Sequence, residues 1–224
     1  MANKAGHLIS LEELTKKYDI VLTDNSALIG WQGLNTRPKK FGKKSDAFIQ
    51  ERVAFNQFKC ALVGKGNCYF TPTLFYQFRE GINTETSPEG LLSKFEGMKI
   101  SEDEWEVYGN ARERDRVLVQ SARELKRNRK IIFLKEDELE PYRDLIIRYA
   151  FLKRRNKLGD VNYDTLMTGA TLALERKDSV AIISNNIPLF YSWKDFLSLE
   201  ANLNFEKFAF YFRRSKEHYS KGII

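Results

Sequence analysis

Short apolar runs that end in polar residues recur along the chain with helical stretches between them, the pattern expected of a mainly parallel α/β sheet. Ile20-Val21-Leu22 leads into Thr23-Asp24-Asn25-Ser26, Cys68-Tyr69-Phe70 into Thr71-Pro72, and Val180-Ala181-Ile182-Ile183 into Ser184-Asn185-Asn186. A fourth run, Ile131-Ile132-Phe133-Leu134, lies between Lys130 and Lys135 and is expected to be a fourth strand. Helical spacing predicts helices over Ser45 to Ala61, over Leu74 to Arg79 after a Pro72 that suits a helix start, over Pro141 to Arg155, and over Asp164 to Arg176. Near the end, Phe208, Phe210 and Phe212 alternate with Ala209, Tyr211 and Arg213, which predicts an edge strand with a buried aromatic face. The stretch from about 83 to 130 is punctuated by Pro88, Gly90 and Gly97 and then becomes dense in arginine and acid. It reads as a helical insertion whose charges form a solvated face, with a nucleic-acid surface as the competing reading.

A chain of 224 residues with five prolines and 13% aromatics can bury a substantial core, so we expect one domain spanning 1–224 rather than a disordered chain. No apolar run is long enough for a membrane-spanning helix and no signal-peptide core is visible, which gives a cytoplasmic expectation with no membrane partner. Two cysteines and two histidines argue against a disulfide framework, a zinc cluster and His-based nucleophilic catalysis. Carboxylates remain for chemistry. A net charge of +7 is compatible with a nucleic-acid partner.

In open α/β sheets ligands bind beyond the carboxyl ends of the strands, so the polar residues after each apolar run are the candidates. Asp24 follows the first run, Asn185 and Asn186 follow the third, and Asp164 opens a helix stripe. A carboxylate at the end of a buried strand must be hydrogen-bonded or bound to a cation. Oxygen-only ligands at one sheet edge suit Mg²⁺ or Mn²⁺ acting on phosphoryl groups. Competing motifs fail: Gly64-Lys65-Gly66 lacks P-loop spacing, Leu28 stands where a dinucleotide fingerprint needs its first glycine, and Ser26 occupies the second aspartate position of a dehalogenase-type phosphotransferase.

The order Val21 to Ile29, Tyr69-Phe70-Thr71-Pro72, Asn162-Tyr163-Asp164-Thr165-Leu166 and Val180 to Asn186 resembles a PIN-domain nuclease, over about residues 18–80 and 140–200. The resemblance implies a three-layer α/β/α sandwich on a central, mainly parallel sheet of four or five strands, with the 83–130 insertion added. It also implies a metal-dependent endoribonuclease using Mg²⁺ or Mn²⁺. Asp24, Ser26 and Asp164 match the family's motif. Gln77 and Asn186 stand where the family has acids, and either amide offers a carbonyl oxygen but no charge. Glu80, on the same helix face as Gln77, or Asp160, in the loop before Asp164, can take over the missing role. The implied catalytic set is Asp24, Asp164, Glu80 and Asn186, with Asp24, Asp164 and Glu80 on the metal and Ser26, Gln77, Asp160 and Asn185 in support. Two basic runs flank the site in sequence and are assigned to RNA: Arg37, Lys39, Lys40, Lys43 and Lys44, and Arg154 with Arg155 in a second cluster. The alternative is a PIN-fold RNA- or protein-binding module whose nuclease site has decayed. A homodimer, or a partner such as an antitoxin or a ribosomal particle, stays open.

Overall fold

The computed structural model describes residues 8–28, 59–80, 92–93, 96–97, 99, 102–214 and 218–222. In chain order the elements are β1 (Leu8–Ser10), α1 (Leu11–Lys17), β2 (Ile20–Thr23), α2 (Asn25–Leu28), β3 (Cys68–Tyr69), α3 (Pro72–Glu80), α4 (Glu102–Arg127), α5 (Glu136–Arg148), α6 (Ala150–Arg155), α7 (Asp160–Leu174), β4 (Val180–Ile183), α8 (Ile187–Leu199), β5 (Phe208–Arg213) and β6 (His218–Lys221). Residues 59–64 are helical as well. They overlap the end of the helix expected over Ser45 to Ala61, the rest of which lies outside the described residues.

The sheet is mixed and has six strands in the order β1-β6-β5-β4-β2-β3. β5, β4, β2 and β3 run parallel, and β6 pairs antiparallel with both β5 and β1. The register at the centre sets Thr23 beside Ile183 and Ile183 beside Tyr211. The expectation of four or five strands is corrected to six, because β1, Leu8-Ile9-Ser10, has only two apolar residues and β6, His218 to Lys221, is polar, so neither carries an apolar run.

Alternation along the central strands feeds two separate cores. Val21, Ala181, Ile183, Ala209 and Tyr211 point to one side, where Leu11, Leu14, Leu74, Phe78, Leu118, Ala122 and Leu125 from α1, α3 and α4 cover them. Ile20, Leu22, Val180, Ile182, Phe208 and Phe210 point to the other, against α5, α7 and α8 through Leu145, Leu166, Met167, Leu189, Trp193 and Phe196. Helices therefore cover both faces of the sheet. The insertion's helix belongs to the first core. Leu118, Ala122 and Leu125 form its inward stripe, while Arg112, Arg116, Arg123 and Lys126 are exposed.

Four expectations are corrected. Ile131 makes only an isolated parallel bridge to Phe70, and no strand follows, because Phe133 turns out to solvent and the chain enters α5 at Glu136. The aromatic strand is internal rather than an edge, since β6 covers its free side; its aromatic face is buried as expected. The helix expected over Pro141 to Arg155 is two helices, divided at Tyr149, whose ψ of 14° leaves the α region. α7 begins at Asp160, so Asp160 sits in its first turn and not in a preceding loop. Among the described residues no helix is long and apolar enough to cross a membrane.

The contact of α7 with the sheet is close. A Cβ added at Gly169 would lie 2.9 Å from Phe208 Cε2 and 3.3 Å from Leu22 Cδ1, whereas one at Gly109 in α4 would meet nothing within 4 Å. Gly169→Ala is expected to cost about 1–3 kcal/mol through overpacking. Gly109→Ala is expected to gain about 0.5–1 kcal/mol from helix propensity alone. Urea unfolding of the two variants checks both signs.

Candidate active site at the carboxyl edge of the sheet

β2 and β4 are neighbours, yet the chain leaves them toward opposite faces. After β2 it enters α2, whose Ala27 belongs to the core with α3 and α4; after β4 it enters α8, in the other core. That divergence is a topological switch point, the place where an open α/β sheet forms a crevice for ligands. Asp24 and Ser184, the first residues past the two strands, face each other across it.

Asp24 is fully buried and saturated with donors. Ser26 Oγ donates to both carboxyl oxygens at 2.9 Å, Ser184 Oγ to Oδ2 at 2.6 Å, and the Ala27 N–H to Oδ1 at 2.9 Å. The last bond is an N-terminal cap on α2, the structural use that Asp side chains favour. The hydroxyls are themselves fixed: the Asn185 N–H donates to Ser26 Oγ and the Asn186 N–H to Ser184 Oγ, each at 2.9 Å. Burial pushes the Asp24 carboxyl up to about 6, against the opposing pull of the Ser184, Ala27 and Ser26 donors.

Asp164 approaches from α7, which packs against α3 and covers the Leu22 side of β2. Leu172 at the far end of α7 accepts the Asp178 N–H just before β4 starts, so α7 runs opposite to the parallel strands. Asp164 lies five residues before Gly169, about 7.5 Å of helix rise. Asp24 lies two residues past Leu22, about 6.6 Å of strand. On these rises both acids lie toward the carboxyl end of the parallel strands. Tyr142 Oη donates to Asp164 Oδ1 at 2.5 Å and Thr168 Oγ1 at 3.3 Å, while Asp164 Oδ2 is buried without a partner. Burial, with the Asp164 carboxylate beside it, holds the Tyr142 phenol far above its usual range.

The remaining candidates divide. Asn186 is half-buried, and its Oδ1 caps α8 by accepting the Leu189 N–H at 2.7 Å; Asn185 is exposed. Gln77 is half-buried on α3. Glu80 is the last residue of α3, and its side chain lies outside what the structure describes. Asp160 points to solvent and is ion-paired to Lys153. Arg154 and Arg155 are exposed at the end of α6, whereas Arg37, Lys39, Lys40, Lys43 and Lys44 lie outside the described residues. Among the described residues no group of three or more acid, histidine or cysteine side chains stands close enough to hold a metal ion.

Two contributors escaped sequence reasoning. Ser184 bridges Asp24 to the start of α8, and its only signal was its place after an apolar run. Arg213, at the end of β5, reaches over to donate to the Ala27 carbonyl at 2.5 Å, bringing a desolvated guanidinium beside the Asp24 network. Its signal was equally slight: the one basic residue closing an aromatic strand. No protein-family model, no curated protein and no solved structure matches this chain.

The raised Asp24 carboxyl has a stability signature. The folded state holds this proton more tightly than the unfolded chain, so the stabilisation is complete below pH 4 and is lost as pH rises from about 4 to 6, about 3 kcal/mol in all. Ser184→Ala removes one donor to the ionised form and is expected to move the midpoint further upward. A ¹³C titration of the Asp24 carboxyl in both proteins measures it; a wild-type midpoint near 4 would contradict the burial argument.

Proposed function

We propose that the chain is a metal-dependent endoribonuclease of PIN-like type, with its site in the crevice between β2 and β4 and a cytoplasmic setting. Two observations support the reading: a buried carboxyl lies at the topological switch point, and on α7, which covers one face of the sheet, a second carboxyl has a buried, unpaired Oδ2. Helices on both faces support the three-layer arrangement that the family resemblance implies.

The donor set fits one hard divalent ion in chemistry: Asp164 Oδ2 is anionic with no other partner, and Asp24 would join it by exchanging a serine hydroxyl donor for the ion. Two carboxylates are too little charge for a pair of ions. A bound Mg²⁺ or Mn²⁺ would supply Lewis acidity toward water and offset charge on the phosphoryl oxygens. Ser26 and Ser184 hold the Asp24 carboxyl in one orientation. Tyr142 and Thr168 do the same for Asp164 through Oδ1, leaving Oδ2 for the ion. Arg213 is placed to offer positive charge to a phosphate entering over Ala27. Because Asp24 must lose its proton to act as a ligand, Mn²⁺ affinity is expected to rise with pH through about 6.

A second reading has its own observation. The Asn186 amide, standing where the resemblance expects an acid, is committed to capping α8, which favours a binding module without chemistry. Metal response separates the two. In a nuclease, Mn²⁺ at about 100 times its Kd stabilises the fold by about 2.7 kcal/mol, and Asp164→Asn abolishes both this and cleavage of single-stranded and hairpin RNA. Asn186→Asp keeps the cap, since aspartate caps as well as asparagine and suits the helix dipole, so it is expected to tighten Mn²⁺ binding without loss of fold. RNA binding with neither metal stabilisation nor cleavage would leave the binding module.

A further inference from the structure

α8 carries a stripe that the core does not use. Ile187 and Tyr191 are 51% and 54% exposed, although Leu189, Ser192, Trp193 and Phe196 on the same helix are buried. The stripe begins next to Asn186, in the crevice. Its next position at the same spacing is Asp195, where Arg155 ion-pairs at 3.6 Å while keeping 68% of its side chain exposed. Asn156 donates to Ser192 Oγ at 3.0 Å and Asp195 Oδ2 at 3.4 Å, which fastens the basic end of α6 to α8 one turn beyond Tyr191. Ile187 to Asp195 spans about 12 Å of helix rise. The Tyr191 ring is backed by Phe190, 5.6 Å away, which in turn stacks on the buried Trp193 at 5.8 Å and 27°. This gives a supported aromatic face, open to solvent, between the candidate site and exposed Arg154, Arg155 and Lys157.

We propose that the stripe carries an unpaired RNA segment into the crevice. Tyr191 stacks on one base, Ile187 lines the way to Asn186, and Arg154 and Arg155 take phosphates. The inference rests on the RNA reading above and narrows the substrate class to single strands and loops, since a duplex hides its base faces. Three exposed apolar side chains, Ile187, Tyr191 and Leu199, are far short of the roughly 800 Å² per partner of a stable protein interface, but one aromatic ring suffices for a base. Charge complementarity points the same way, because the stripe ends in a cationic cluster suited to a polyanion.

The test is anisotropy with the full chain and a labelled oligoadenylate, in EDTA to prevent cleavage. Parallel titrations use the same strand with one abasic position moved along it, and a duplex. Tyr191→Ala is expected to weaken single-strand binding roughly 5- to 150-fold, the range for losing one base stack, while Tyr191→Phe retains affinity. One abasic position should weaken wild-type binding similarly, add no further loss to Tyr191→Ala, and leave duplex binding unchanged in either protein. Wild-type binding with Tyr191→Ala unaffected, or equally sensitive to the abasic site, overturns the stripe and leaves the RNA reading standing. Self-association lost in Tyr191→Ala with RNA affinity intact assigns the stripe to a protein contact and also overturns it. Absence of wild-type binding to either RNA at low salt removes both.

Discussion

The Asp24 carboxyl has no contact with solvent, and much of the architecture around it follows from the cost of keeping it there. An ionised carboxylate buried without donors is prohibitively unfavourable, and a half-satisfied one is little better. The chain meets the requirement from three directions: its own α2 backbone, the hydroxyl two residues on, and Ser184 from the neighbouring strand. Those bonds need β2 and β4 side by side and in register, and the chain to turn away from both strands at the same height. The switch point is therefore a polar structure as much as a topological one, and the donors only partly offset the burial.

The central sheet was legible because its strands are buried on both faces and read as continuous apolar runs, as with Ile20 to Leu22 and Val180 to Ile183. What was not legible shares a cause. β1 has only three residues and its partner lies more than two hundred residues away, while β6 is short and polar. Ile131 to Leu134 shows the opposite failure: its composition suits a strand, but nothing pairs with it beyond Phe70. Local pattern reports burial; it does not report which neighbour is present.

The site was legible in the positions of its acids and not in their surroundings. Asp24, Ser26 and Asp164 were found because polar residues after apolar runs, or opening a helix stripe, mark one edge of a parallel sheet. Ser184 and Arg213 act through contacts across strands, which no spacing encodes. The amides show a further limit. Asn186 is a helix cap first, and the same residue types serve caps and ligands because both tasks need an oxygen at a helix N-terminus.

The pairing of Leu8 with Ser220 also orders events in time. During synthesis β1 emerges more than two hundred residues before its partner. Until β6 is available, the outer edge of β5 is open, and Phe208 to Phe212 is an aromatic strand with one unpaired side. β6 closes that edge as a local hairpin, Tyr211 pairing with Lys221, whereas the outer edge of β6 waits for β1, a contact more than two hundred residues apart in sequence. A nascent chain stalled before residue 218 would thus display the sheet's most aggregation-prone strand, and the short polar β6 acts as its protective cover.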